Sequence, residues 1–272
     1  MSGPERYAVI GNPVAHSRSP DIHAWFARET GQELVYERLL APLDGFRAAV
    51  EQFIAAGGKG ANVTVPFKLE AHALAQELSP RARAAGAVNT LRFAQGRIYG
   101  DNTDGVGLVT DIVRNAASPM RKKKILLLGA GGAARGVILP ILAERPAQLV
   151  IANRTPEKAR QLATQFAADG PVAACGFEEV HVPFDIIINA TSASLGDALP
   201  PVDPVVFGSG TLAYDMMYGR EATVFMRFAR GHGAVIRDGL GMLVEQAAES
   251  FSVWRGVRPR TGELLSWLRD RL

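Results

Sequence analysis

Residues 125–136 read ILLLGAGGAARG: an aliphatic run, a glycine turn, then small residues at helical spacing. An apolar run this short predicts a strand buried on both faces of a parallel sheet, and the turn after it has the Gly-x-Gly-x-x-Ala form at Gly129, Gly131 and Ala134. Gly129 would make the tight turn, Gly131 would let the backbone approach a pyrophosphate, and Ala134 would let the next helix sit close to the sheet. Phosphates would rest on the helix N-terminus, where unpaired N–H groups and the positive dipole end favour anions. Such turns also arise wherever a strand bends sharply into a helix, so the neighbouring sequence decides. QLVIANR at 148–154 reads as a second strand, which makes 125–154 a βαβ unit of about the 30 residues such a unit needs.

Downstream of this unit, FDIIINATS (184–192), TLAYDMMY (211–218) and AVIRDG (234–239) read as further strands, which suits one doubly wound sheet. Upstream, YAVIG (7–11), LVYERLLA (34–41) and, after a GGKG turn at 57–60, ANVTVP (61–66) read as strands. Helices are expected at 19–30, with Pro20 in the first turn, and at 45–56, where Phe46, Ala49, Val50, Phe53 and Ile54 share one face. Strands alternating with helices predict a mostly parallel sheet, and AVNTLRF (87–93) with RIYGDNT (97–103) predicts a hairpin at its edge. A helix at 104–116 leads into a basic linker, and helices at 241–256 and 261–272 end the chain. The expected fold class is α/β in two domains: an N-terminal, mostly parallel α/β domain over 1–104, and a Rossmann-type doubly wound nucleotide domain over 105–239.

At 272 residues and 47% hydrophobic content the chain can bury two cores of ordinary size. Its net charge of +3, from 30 basic and 27 acidic residues, is too small to imply nucleic-acid or membrane binding. RKKK at 121–124 carries no interleaved aromatic residues and reads as a solvated linker. The single cysteine, Cys175, allows neither an intrachain disulfide nor a cysteine zinc cluster, and points to a reducing compartment. The first residues lack the apolar core of a signal peptide, and the apolar stretch 125–143 is broken by Arg135 and by glycines. A cytoplasmic protein is expected. Of the histidines, His23 and His72 fall in expected helices and His181 and His232 in loops, with no metal-ligand spacing among them, so no metal site is expected.

Ligands of such sheets bind beyond the carboxyl ends of the strands, and those ends are polar here. The first strand runs into GNPVAHSRSP, the third into Asn62, Thr64 and Lys68, and the hairpin carries Asn89, Asp101, Asn102 and Asp104. In an NAD site an acid near the end of the second nucleotide strand holds the ribose 2′-hydroxyl; here that place is taken by Asn153, Arg154 and Thr155. The planar guanidinium of Arg154 suits a phosphate, so NADP is preferred over NAD.

GNPVAHSRSPDIH, GGKGANVTVPFK, AGAVNT, GDNTDGVG, LLLGAGGAARGV, ANRT, INATS, YDMMY and DGLGMLVEQAA, in that order, resemble shikimate dehydrogenases along nearly the whole chain. The resemblance implies NADP-dependent reduction of 3-dehydroshikimate to shikimate, on the route to chorismate and the aromatic amino acids. It also implies that residues 240–272 return to the first domain, which would bind the substrate. By the same resemblance Ser17 and Ser19 would hold the substrate carboxylate, and Asn62, Thr64, Asn89 and Gln246 the ring hydroxyls, with Tyr218 closing over the substrate. Lys68 and Asp104 match the catalytic pair. Gly129, Ala130, Gly131, Gly132, Ala133 and Ala134, with Asn153, Arg154 and Thr155, match cofactor contacts, and Met216 and Gly239 match the nicotinamide pocket. Ala134 stands where many relatives carry serine, and ATSASLGDALPP (190–201) is a variable loop.

Chemistry supports the pair independently. Reducing a ketone requires a proton donor beside the developing alkoxide; an ammonium at Lys68 would stabilise that oxygen and protonate it, while Asp104 orients the amine. In isolation Lys68 reads as a surface lysine after a strand and Asp104 as a helix cap; their two motifs set them apart. His16 is the alternative acid, and reads instead as a structural loop residue. Three rivals remain open: a quinate or dual quinate/shikimate dehydrogenase using NAD, a non-catalytic NADP-sensing module, and a DNA-binding regulator. Monomer and homodimer are both compatible with the sequence.

Overall fold

Two six-stranded sheets carry the chain, one in each of two units: residues 1–107 with 244–267, and residues 108–243 with 268–272. The computed structural model describes residues 3–191 and 198–272; Ser192 of INATS and much of the variable loop lie outside the described residues.

The first unit is built on β1 (Glu5–Gly11), β2 (Leu34–Leu40), β3 (Gly58–Val63), β4 (Glu77–Leu78), β5 (Thr90–Ala94) and β6 (Arg97–Asp101), in the spatial order β2-β1-β3-β5-β6-β4. β1 runs parallel to β2 and β3, because α1 (Ser19–Thr30) and α2 (Phe46–Ala55) make the crossovers; β5 and β6 are antiparallel. Gln95 and Gly96, with φ of 54° and 71°, form the two-residue turn whose twist matches a hairpin. Two expectations need correction. Gly58 and Gly60 lie inside β3 and not in a turn: a Cβ on Gly58 would sit 2.5 Å from the Phe53 ring, and one on Gly60 2.5 Å from Trp254 Nε1, so both mark close packing. The hairpin is not the sheet's edge, because the two-residue β4, too short to show a period, pairs with β6. α3 (Lys68–Leu74) and α4 (Pro80–Ala85) link β3 to β4 and β4 to β5. Ile10, Phe46, Val50, Val63, Phe67 and Leu91 fill the core between this sheet and its helices.

α5 (Asp104–Thr110) leads to the second unit and continues as a π-helical turn, Asp111–Asn115, where an ordinary helix was expected. The second sheet comprises β7 (Lys124–Leu128), β8 (Gln148–Ala152), β9 (Val172–Cys175), β10 (Ile186–Asn189), β11 (Leu212–Asp215) and β12 (Val235–Arg237). It is parallel throughout, in the order β12-β11-β10-β7-β8-β9, with α6 (Gly132–Ala143), α7 (Pro156–Gln165) and α8 (Val224–Gly231) among its connections. That is the order 3-2-1-4-5-6 of a dinucleotide-binding sheet. β9 is a strand that sequence reading omits: four half-buried residues with two alanines give neither an alternating nor a continuous apolar signal. β7 is buried from Ile125 to Leu128, as its aliphatic run predicts.

α9 (Leu240–Arg255) and α10 (Gly262–Arg269) end the chain. Within 240–272, residues 244–267 belong to the first unit and the flanking residues to the second. Tyr7 stacks on Trp254 of α9 at 4.8 Å, and Trp25 meets Trp267 of α10 at 5.5 Å. Among the described residues no helix is long and apolar enough to cross a membrane.

Candidate active site

Lys68 opens α3, just after β3, and Asp104 opens α5, just after β6, so the sheet delivers both to the ends of its strands. Lys68 Nζ lies 2.6 Å from Asp104 Oδ2, with the side chains 32% and 13% exposed. The other carboxylate oxygen accepts from Asn89 Nδ2 at 2.8 Å. Asn89 is held from behind: its Oδ1 accepts from the Thr103 N–H and from the Thr90 hydroxyl, each at 2.9 Å. Its Nδ2 also reaches Thr103 Oγ1 at 3.0 Å and Gln246 Oε1 at 3.4 Å, which brings α9 into the group. Asn62 Nδ2 donates to Ser250 Oγ at 2.9 Å and to the Asn89 carbonyl and Thr90 Oγ1 at 3.2 Å. Ser17 Oγ donates to Ser19 Oγ at 3.1 Å, and Arg38 grips the Ser17 carbonyl at 2.7 and 3.1 Å. Thr64 is half-buried past the end of β3, its N–H donating to the Ile10 carbonyl at 2.9 Å.

Every polar residue expected to bind substrate, Tyr218 excepted, thus lies in the first unit. Asn62, Asn89, Asp104, Lys68 and Gln246 share one hydrogen-bonded network, into which Thr90, Thr103 and Ser250 also enter. The two threonines could have been suspected, because they adjoin Asn89 and Asp104 in AVNT and DNTD. Ser250 stands one helical turn beyond Gln246 and donates to its carbonyl at 3.0 Å. Tyr36 and Arg38 gave no signal within a strand. Beneath the network Arg81 grips both oxygens of Asp101 at 2.7 Å; burial would raise the Asp101 pKa, but Arg81, Ser79 and the Asn102 N–H together hold it below its ordinary value.

In the second unit β7 is followed by Gly129, whose φ of 106° is open to glycine and strained for other residues. Ala134 is buried and Ala130 half-buried, whereas Gly131, Gly132 and Ala133 are exposed, and a Cβ on either of those glycines would meet nothing within 4 Å. Gly131 offers no side chain to cap α6, so no side chain occupies the first N–H groups of the helix, an anion-favouring end. After β8, Asn153 Nδ2 donates to the Thr155 carbonyl at 2.9 Å, and Arg154 and Thr155 are exposed. Met216 and Gly239 are in contact: a Cβ on Gly239 would sit 2.2 Å from the Met216 carbonyl oxygen. Tyr218 is half-buried in this unit. A glycine turn with no side-chain cap, a guanidinium and no carboxylate at 153–155 fit a dinucleotide carrying an extra phosphate. Among the described residues no group of three or more His, Cys, Asp or Glu side chains could hold a metal ion.

A parallel sheet in this order with a glycine turn after its first strand, and a second α/β unit bearing an ammonium–carboxylate pair among amides, define a two-domain nicotinamide-dependent oxidoreductase. Comparison with known proteins makes this specific. Residues 9–91 match the family model of the shikimate dehydrogenase substrate binding domain, 111–196 that of shikimate / quinate 5-dehydrogenase, and 239–263 that of the shikimate 5′-dehydrogenase C-terminal domain. The shikimate dehydrogenase (NADP(+)) of Janthinobacterium sp. (strain Marseille) is 65% identical, over 98% of each chain. The crystal structure of an Ael1 enzyme from Pseudomonas putida superposes with a TM-score of 0.93 at 48% identity, covering 97% of this chain and 98% of that one. The shikimate 5-dehydrogenase of Thermus thermophilus, solved in complex with NADP(H) and shikimate, gives 0.86 at 33% identity, over 98% and 100%. The chain belongs to the shikimate dehydrogenase family.

Proposed function

We propose that this chain catalyses the reversible, NADP-dependent interconversion of 3-dehydroshikimate and shikimate in the cytoplasm, on the route to chorismate. The observation that carries the reading is the Lys68–Asp104 pair at 2.6 Å, its second oxygen tied to Asn89, in a chain 65% identical to a shikimate dehydrogenase. Bound NADP(H) supplies or accepts the hydride. Lys68 places its ammonium against the reacting oxygen, stabilises the negative charge that grows there and delivers the proton. Asp104 fixes the amine in place and balances its charge, and Asn89 keeps the carboxylate aligned for that task. Ser17 and Ser19 offer hydroxyl donors for the substrate carboxylate, and Asn62, Thr64, Asn89 and Gln246 hold the ring hydroxyls. Met216 and Gly239 line the nicotinamide, and Tyr218 is assigned to the substrate by its place in the YDMMY motif. Gly129, Ala130, Gly131, Gly132, Ala133 and Ala134 carry the pyrophosphate, while Asn153, Arg154 and Thr155 select the 2′-phosphate.

Steady-state oxidation of shikimate and of quinate, each with NADP and with NAD, tests the assignment. Shikimate with NADP should give the highest kcat/KM of the four pairs. Quinate with NAD as the best pair would make the chain a quinate dehydrogenase, and no turnover of any pair would remove the enzyme assignment.

A further inference from the structure

Two serine hydroxyls make a neutral grip for an anion, and a residue of the neighbouring strand brings the charge they lack. Ser17 Oγ donates to Ser19 Oγ at 3.1 Å and accepts the Ser19 N–H at 3.2 Å, so the two hydroxyls form one small unit at the entry to α1. They offer protons but no charge, whereas a carboxylate carries a full negative charge and about four lone-pair sites. Arg18, between them in the chain, lies 4.0 Å from Asp21, so an acid already meets its charge. Arg38 of β2 is placed differently. Side chains two apart on a strand share a face, which puts Arg38 on the face of Tyr36, whose hydroxyl donates to Asn62 Oδ1 at 2.8 Å. Arg38 also stands nearer the carboxyl end of β2, the end at which ligands of such sheets bind. Its Nε and Nη2 donate to the Ser17 carbonyl at 3.1 and 2.7 Å, which ties the guanidinium to the residue bearing the first hydroxyl. Of the five N–H groups of a guanidinium, two face that carbonyl and the rest are left for a ligand. Among the described residues no carboxylate pairs with Arg38; Glu37, on the opposite face, is held by Arg6 at 2.7 Å.

Resting on the proposed reaction, we infer that Arg38 is a further binding residue that supplies the positive charge for the substrate carboxylate seated on Ser17 and Ser19. It thereby selects an anionic ring substrate over a neutral one. A carboxylate on the Ser17 hydroxyl lies about 7 Å from a group bonded to the Ser17 carbonyl, inside the Debye length of about 10 Å at 0.1 M salt. The carbonyl contact keeps the guanidinium aimed although the side chain is exposed. Because the attraction acts on the bound substrate before and during hydride transfer alike, it lowers KM and leaves kcat nearly unchanged.

A charge series tests this by steady-state shikimate oxidation at saturating NADP and about 0.01 M salt. KM for shikimate should rise least in Arg38→Lys, about tenfold in Arg38→Gln and about a hundredfold in Arg38→Glu, with kcat within about threefold and KM for NADP unchanged. Raising the salt to about 1 M shortens the Debye length from about 30 Å to about 3 Å, so the gap between wild type and Arg38→Gln should shrink below about threefold. A purely structural grip on the Ser17 carbonyl predicts the opposite: Gln and Glu would raise KM alike, and salt would leave the gap as it is. Either of those results, or an unchanged KM in Arg38→Gln, overturns the inference. Wild-type turnover of shikimate is measured first: an inert wild type overturns the proposed reaction along with this inference, whereas an active wild type with an unaffected variant overturns this inference alone.

Discussion

His23 makes the first unit sensitive to acid in a way that one substitution should abolish. The ring is fully buried between Tyr36, Phe26, Phe251 and Trp254, and neither nitrogen has a hydrogen-bond partner among the described residues. Burial lowers its pKa from the ordinary 6.5 to about 3, with Asn62 as a lesser opposing influence. The folded protein therefore keeps this imidazole neutral, while below pH 6.5 the unfolded chain takes up a proton there. Stability is unaffected above that value and declines as the pH falls below it, until the folded-state value near 3 is reached. At pH 5 the loss is about 2 kcal/mol, and it stays the same for any folded-state pKa below about 4, because only the unfolded chain titrates in that interval. His23→Phe keeps an aromatic ring under Tyr36 and removes the titration. Urea unfolding of both proteins at pH 8 and pH 5 can be followed by tryptophan fluorescence, since Trp25, Trp254 and Trp267 all lie in the first unit. The exposed groups titrate alike in the two chains and cancel. Wild type should lose about 2 kcal/mol more than the variant between these pH values. Parallel losses would show that the buried imidazole accepts a proton in the folded state, and the reasoning would fail.

Lys68→Ala should lower kcat for shikimate oxidation by about 10²–10⁴-fold while the Kd for NADPH, read from fluorescence titration, stays within twofold; a matching loss of cofactor affinity would contradict its assigned place. Arg154→Ala should raise KM for NADP at least about tenfold and leave KM for NAD nearly unchanged, since only NADP carries the phosphate it would meet; an unaltered NADP/NAD preference would remove that role. Gly241→Ala would put a Cβ 1.9 Å from Asp111 Oδ1, a buried carboxylate that Arg237 grips at 2.5 and 2.8 Å. Thermal unfolding should show a loss of about 3 kcal/mol or more, whereas Gly131→Ala, with open space at its Cβ, should cost under about 1 kcal/mol. Equal Tm values for the two variants would refute the packing argument.

How much of this was legible in advance depended on the range of the interactions involved. α1 matches its expected span of Ser19–Thr30, because Pro20 and Gly31 mark its ends within the local sequence. β7 and the turn at Gly129 were equally plain: a run buried on both faces and a backbone angle suited to glycine both leave their mark in consecutive residues. β4 and β9 were not, since a strand of two or four residues exists only through the neighbour it pairs with. Gly58 and Gly60 were misread for a related reason: glycine looks the same whether it opens a turn or makes room for a distant ring, and Trp254 lies far along the chain from Gly60.

The candidate site divides along the same line. Amino-acid order alone settled the α/β class, the nucleotide turn, the absence of an acid beside Arg154, and which polar residues stand at strand ends, because each is a property of adjacent residues. Three-dimensional folding settled which of those side chains meet. Lys68 reaches Asp104 across 36 positions, Asn89 reaches Gln246 across 157, and Tyr36 reaches Asn62 across 26. Hydrogen bonds are satisfied within about 3 Å whatever the separation along the chain, so Tyr36, Thr90, Thr103 and Ser250 joined the network only when the sheet and α9 brought them together.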